Sequence, residues 1–164
     1  MKNIILIGMM GCGKTTISKK LSEVLNRPVI DIDEYLEHKY QMTIAEMFDI
    51  SEDYFREREH VCCQDISQLD GYIVSTGGGV IKNPQNIKVL KNNGIIFYLD
   101  RPIENILQDI DTASRPLLKD GPEKLYQLYH ERHTLYLQAC DYRIENQTSI
   151  DEVINQIISI ILNK

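Results

Sequence analysis

The chain has 164 residues, 43% hydrophobic and 26% charged, which suits one soluble domain long enough to bury a core without staples. Its formal charge of −6 gives no general attraction for nucleic acid, so an anionic ligand must be met by a few well-placed Lys and Arg residues and by backbone N–H groups. Cys12, Cys62, Cys63 and Cys140 show no C-x-x-C spacing, which argues for reduced thiols and against a zinc site or a disulfide framework.

In chain order, short apolar runs alternate with amphipathic stretches, the pattern of an α/β domain with a parallel sheet. Ile4–Ile7 reads as a buried strand, too short for a signal peptide or membrane span, so a cytoplasmic protein without a membrane partner is expected. Gly8–Gly13 is a loop, and the helix after it carries Ile17, Leu21, Val24 and Leu25 on one face. Val29–Asp33 reads as a second strand. Thr43-Ile-Ala-Glu46 is a capping box that opens a short helix. Another helix begins near Ser51 and turns Phe55, Cys62, Ile66 and Leu69 inward. Tyr72–Ser75 is a third strand ending in Thr76-Gly77-Gly78-Gly79. Asn83-Pro84 starts a helix that Gly94 ends, and Ile95–Leu99 is a fourth strand. A helix follows from about Ile103 to Ile110. Asp111–Pro122 is polar and broken, and reads as a mobile loop. A helix covers roughly Pro122–Ala139, and Tyr142–Ile144 is a last strand. Ser149-Ile-Asp-Glu152 caps a C-terminal helix with Val153, Ile154, Ile157, Ile158 and Ile161 inward. There is no internal repeat or linker.

Gly8-Met-Met-Gly11-Cys-Gly13-Lys14-Thr15 matches GxxxxGK[ST] between a strand and a helix. Such a loop points several N–H groups at phosphates, and the helix N-terminus adds partial positive charge. Lys14 is placed to reach the β/γ-phosphates and the Thr15 hydroxyl to bind Mg²⁺. The motif establishes nucleotide binding better than catalysis, since ATPases, GTPases and kinases share it.

Asp31 and Asp33, read at the end of a strand, would face the same side where open α/β sheets bind ligands. Two acids there can divide metal binding and proton acceptance. Alternatively Asp33 only caps a helix. Arg56 and Glu59 stand at i, i+3, close enough to pair. Arg132 shares a helical face with Leu125, Tyr129 and Tyr136, so its head either stretches to water or meets a buried anion. Gly77–Gly79 either lets a ligand approach the backbone or is a flexible turn. Arg115 in the loop either closes over the phosphates or is an exposed charge.

Together GMMGCGKTT at 8–16, DIDEYLE at 31–37, FRERE at 55–59, STGGGV at 75–80, SRPLL at 114–118 and ERHTLY at 131–136 resemble the shikimate kinase family along essentially the whole chain. The resemblance implies a three-layer P-loop NTPase fold, with a five-stranded parallel sheet in the order 2-3-1-4-5 flanked by helices. It also implies one domain over residues 1–164, with a substrate-binding region at 33–60 and a lid at 111–122. The implied reaction moves the γ-phosphoryl group of ATP to the 3-hydroxyl of shikimate, a step toward chorismate and the aromatic amino acids. A monomer with no nucleic-acid partner is expected.

Carried over by position, the match makes Gly11, Cys12, Gly13, Lys14, Thr15 and Thr16 the nucleotide loop. Thr15 and Asp31 hold Mg²⁺, Asp31 through water. Asp33 binds substrate hydroxyls and acts as base. Arg56 and Arg132 clamp the carboxylate, Glu59 orients Arg56, and Gly77, Gly78 and Gly79 line the substrate pocket. Lys14 and the lid residue Arg115 complete the catalytic set. The chain departs from the family pattern at Gln41 and Ser51, where glycine is common, and at Gln108, the approximate counterpart of an arginine that contacts adenine. Glu145–Ser149 is expected to supply the rest of the adenine pocket. The rival readings are a P-loop kinase acting on another small polyol acid such as gluconate or on a nucleotide, and a nucleotide-binding module without turnover.

Overall fold

The computed structural model describes residues 1–109 and 122–163. Its sheet has five parallel strands: β1 (Asn3–Ile7), β2 (Val29–Asp31), β3 (Ile73–Ser75), β4 (Gly94–Asp100) and β5 (Tyr142–Glu145), in the order β2-β3-β1-β4-β5. The central strand β1 is buried throughout because both of its faces are covered. Ile5 and Ile7 point into one core with Val74, Ile96 and Tyr98, while Ile4 and Leu6 point into the other with Ile73, Phe97 and Leu99. This period-two alternation divides a continuous apolar run between two layers.

On one face lie α1 (Lys14–Leu25) and α8 (Ile150–Leu162), burying Ile17, Leu21, Val153, Ile154 and Ile157. The opposite core takes residues from α2 (Ile32–Tyr40), α3 (Ile44–Ile50), α4 (Glu52–Ser67), α5 (Pro84–Lys91), α6 (Ile103–Asp109) and α7 (Pro122–Ala139). The expected layers and strand order are therefore present. Thr43 and Glu46 form the full capping box, while at the last helix Ser149 accepts from the Glu152 N–H as a simple N-cap. Among the described residues, no helix is long and apolar enough to cross a membrane.

Three local expectations need correction. Val24 is 53% exposed, and Leu25 continues the inward stripe from Ile17 and Leu21 at strict i+4 spacing. Gly94 does not end a helix. It opens β4 opposite Asn3, and α5 has already stopped at Lys91. Strand β2 ends at Asp31, two residues earlier than read. The cause is local: an Asp31 carboxylate oxygen accepts from the N–H groups of Asp33 and Glu34 at 2.9 and 3.2 Å, which pulls Ile32 and Asp33 into a helix.

Chain order explains where a ligand can sit. From β1 the chain moves toward β2, and from β3 it crosses to β4 on the other side. The carboxyl ends of β1, β2 and β3 thus meet at the switch point of the sheet, the usual ligand crevice of open α/β folds. The three segments leaving those ends are Gly8–Gly13, Asp31–Asp33 and Thr76–Gly79.

Candidate active site

The loop after β1 curls around its own lysine. Gly11 and Gly13 take φ of 76° and 99°, a left-handed conformation that favours glycine, and Gly13 stands at the N-cap of α1. The Lys14 ammonium donates to the carbonyls of Gly8 and Met9 at 2.6 and 3.0 Å. Two side chains from the far edge of the sheet brace this loop. Arg101 donates to the Gly11 carbonyl at 2.9 Å and Asn146 to the Cys12 carbonyl at 2.8 Å.

A cleft of about 420 Å³ runs from this loop across the switch point, lined by Lys14, Thr15, Thr16, Asp31, Asp33, Gly77 and Gly78. A second cavity of about 250 Å³ adjoins it, lined by Cys12, Gly13, Thr16, Arg101, Asn105 and Asn146–Thr148. Residues 146–148 of the segment after β5 line this cavity. Gln108 does not: it is exposed, and Asn105, three positions earlier on α6, takes the lining place.

The aspartates reach the cleft by a route other than the one read from sequence. Asp31 is the N-cap of α2 and Asp33 sits in its first turn. Asp33 nevertheless faces the glycine triplet, with its carboxylate oxygens 3.1 and 3.6 Å from where a Cβ on Gly77 would lie. Burial, then the neighbouring charge of Asp31, push the Asp33 carboxyl up to about 6, against the pull of Lys14.

The other two glycines of the triplet face the two arginines. A Cβ on Gly78 would lie 3.2 Å from Arg132 Nη1, and one on Gly79 would lie 2.5 Å from Arg56 Nη2. A side chain at 79 would push the Arg56 guanidinium out of its present place, so glycine there leaves room for it. Arg56 is tightly held. Its Nη1 donates to Glu59 at 3.0 Å, its Nε to Glu52 at 3.2 Å, and it lies over the rings of Phe55 and Phe48. Glu52 also accepts from Lys82, two residues beyond Val80 in the short 3-10 turn that follows the triplet. Glu59 is 1% exposed; burial raises its carboxyl and Arg56 opposes that rise. Its Oε2 has no hydrogen-bond partner among the described residues.

The structure thus brings Lys14, Thr15, Asp31, Asp33, Arg56, Gly77, Gly78, Gly79 and Arg132 around one cleft. Arg115 and the whole segment read as a lid lie outside the described residues. Sequence reasoning missed Glu52, Arg101, Asn105, the brace that Asn146 puts on the phosphate loop and the role of Tyr136, whose hydroxyl donates to the Gly78 carbonyl at 2.5 Å. A buried tyrosine on an apolar stripe was a usable signal, because its hydroxyl needs a partner.

The donor set around Thr15 and Asp31 suits a hard cation. Both offer oxygen, and the charge of Asp31 is already unfavourable for Asp33. Among the described residues, no group of three or more His, Cys, Asp or Glu side chains could hold a metal alone.

The family model described as shikimate kinase matches residues 10–162. A shikimate kinase of Clostridium botulinum (strain Alaska E43 / Type E3) is 48% identical over 164 residues, covering 99% of both chains. The shikimate kinase of Acinetobacter baumannii, solved in complex with shikimate, superposes with a TM-score of 0.90 at 36% identity, covering 99% of this chain and 94% of that one. The shikimate kinase of Aquifex aeolicus gives 0.84 at 32% identity, covering 97% and 95%.

Proposed function

The chain belongs to the shikimate kinase family and is an ATP-dependent shikimate kinase of aromatic amino acid biosynthesis, and from that premise we propose how its own residues divide the work. One observation carries the assignment of roles. Three consecutive glycines are faced in turn by an acid, an arginine and a second arginine, in a cleft whose other wall carries Lys14. A small acid bearing hydroxyl groups fits that sequence of partners. Its carboxylate is met by Arg132 and Arg56, and the hydroxyl to be phosphorylated, the 3-hydroxyl, by Asp33.

Asp33 accepts the hydroxyl proton as the oxygen attacks the terminal phosphorus of ATP. A carboxyl raised to about 6 is still mostly ionised at neutral pH, and is a better proton acceptor than an ordinary aspartate. Lys14 and the N–H groups of the phosphate loop bear the charge that develops on the transferred group and on departing ADP. Arg56 and Arg132 fix the substrate ring so that the correct hydroxyl faces the nucleotide. Thr15 directly, and Asp31 through water, would hold Mg²⁺, which when bound neutralises phosphate charge. Arg101, Asn105 and Asn146–Thr148 form the wall for the adenosine. We further propose that the enzyme acts as a cytoplasmic monomer.

The test is γ-phosphoryl transfer from ATP to shikimate, gluconate and nucleoside monophosphates in parallel, with Mg²⁺ and with a chelator. Transfer to shikimate alone, and only with Mg²⁺, is expected. Transfer to gluconate or a nucleotide in its place would reject the acid-pocket reading.

A further inference from the structure

Arg56 and Arg132 are anchored in different ways. Arg56 lies between two carboxylates, Glu52 and Glu59, and Glu52 is shared with Lys82. Two positive and two negative charges leave that cluster with no net charge. Among the described residues, no carboxylate forms an ion pair with Arg132. The buried Glu59 carboxylate, ion-paired with Arg56, acts on Arg132 only through space, and beside Arg132 stands a phenol. Tyr136 lies one turn further along α7, its side chain is fully buried, and its ring stacks on Tyr98 with centroids 4.9 Å apart. Tyr98 is itself fixed through its hydroxyl, which contacts Asp100 and His133 at 3.3 and 2.9 Å.

From this rigid position the Tyr136 hydroxyl donates to the Gly78 carbonyl at 2.5 Å. Burial raises the Tyr136 phenol, and the neighbouring Arg132 guanidinium partly opposes that rise. Gly78 is also the glycine whose missing Cβ leaves room for Arg132 Nη1, at 3.2 Å. One hydroxyl thus fixes the middle peptide of the triplet, the peptide against which the Arg132 guanidinium packs.

We infer that Tyr136 is a positioning residue for carboxylate recognition: its hydroxyl sets the gap between Gly78 and Arg132 and holds the guanidinium without neutralising it. A carboxylate anchor at this place would fix Arg132 equally well and cancel its charge. A hydroxyl beside the guanidinium gives its own proton to Gly78 and forms no ion pair with Arg132, whose positive charge stays available to the substrate. The two clamp residues then differ in role. Arg56, in a neutral cluster, supplies fixed geometry, and Arg132 supplies the net charge. The inference rests on the functional reading above and assigns a residue that reading does not use.

Tyr136→Phe tests it, because the ring and its stacking on Tyr98 are retained while one oxygen is removed. The measurement is kcat and KM for shikimate and for its neutral methyl ester, with the ATP dissociation constant on the same sample. Loss of a hydrogen bond to a charged group should raise the shikimate KM about 10-fold and lower the preference for acid over ester by about the same factor. ATP affinity should stay within about 2-fold, and in an Arg132→Ala background the change should add less than about 2-fold. An unchanged acid-over-ester preference would overturn the inference, as would a parallel loss of ATP binding, which would make the hydroxyl a general support of the fold. If the unaltered enzyme does not phosphorylate shikimate, the functional reading falls and this inference with it. An active enzyme beside an unaffected Tyr136→Phe variant rejects the inference alone.

Discussion

On the phosphate side of the cleft, one loop at residues 8–15 provides the glycines, the lysine and the threonine in a single stretch. On the acid side, Asp33 comes from α2, Arg56 from α4, Gly77–Gly79 from the segment after β3 and Arg132 from α7. In the proposed reading both sides meet anions, yet they are built by different means. The phosphate side depends on local backbone geometry, which a contiguous motif can encode. The acid side depends on helices holding charged heads at one turn, so its precision is a property of the packed core. Changes on the acid side should therefore alter selectivity and turnover without disturbing nucleotide binding, and the reverse should hold across the cleft.

The largest expected break is Asp33→Asn. Removing the proton acceptor should lower kcat by ~10²-fold or more while ATP binding stays nearly intact. Normal turnover would remove Asp33 as base. The same residue also carries a cost in stability. A carboxyl raised in the fold favours the protonated form, so its contribution is present below pH ~4, near its unfolded value, and is lost as pH rises through the folded value of about 6. That shift corresponds to roughly 3 kcal/mol at neutral pH, so Asp33→Asn should unfold at higher denaturant there. It should also lack the fall in stability that the unaltered protein shows between pH ~4 and about 6. Identical pH profiles for the two proteins would contradict this origin of the shift.

Next in size is Arg132→Ala, which should raise the shikimate KM by about 30-fold, since a buried carboxylate loses its charged partner. The ATP dissociation constant should not move. Smaller and opposite in direction is Asn146→Ala. It removes the brace on the Cys12 carbonyl and should weaken ATP binding by about 5-fold, with shikimate affinity unchanged. If either variant weakens both ligands equally, the two sides are not separately built.

The same contrast governs what the sequence disclosed. The phosphate loop was readable because strand, glycines, lysine and helix follow one another within a short stretch. The strand order and the glycine-lined pocket came from the ordered set of family motifs, since no single piece of it specifies a sheet. Asp31 and Asp33 were identified as residues and misread in geometry: apolar continuity through Ile32 suggested strand, whereas the Asp31 cap made helix. Gln41 shows the reverse. The departure from glycine was visible, and the structure gives its reason: Gln41 holds φ at 51°, and its amide donates to the His38 carbonyl at 2.7 Å. The bonds that Tyr136, Arg101 and Asn146 make stayed hidden because their loop partners lie 58, 90 and 134 residues away, and no local pattern records such a pairing.

The central claim is that this cleft seats a carboxylate between two arginines while Asp33 faces a substrate hydroxyl. A crystal structure with shikimate and a non-hydrolysable ATP analogue addresses it directly. The account predicts carboxylate oxygens within hydrogen-bond reach of both Arg56 and Arg132, with the 3-hydroxyl about 3 Å from an Asp33 oxygen. A carboxylate turned toward Lys14, with either guanidinium pointing away from it, would contradict the account.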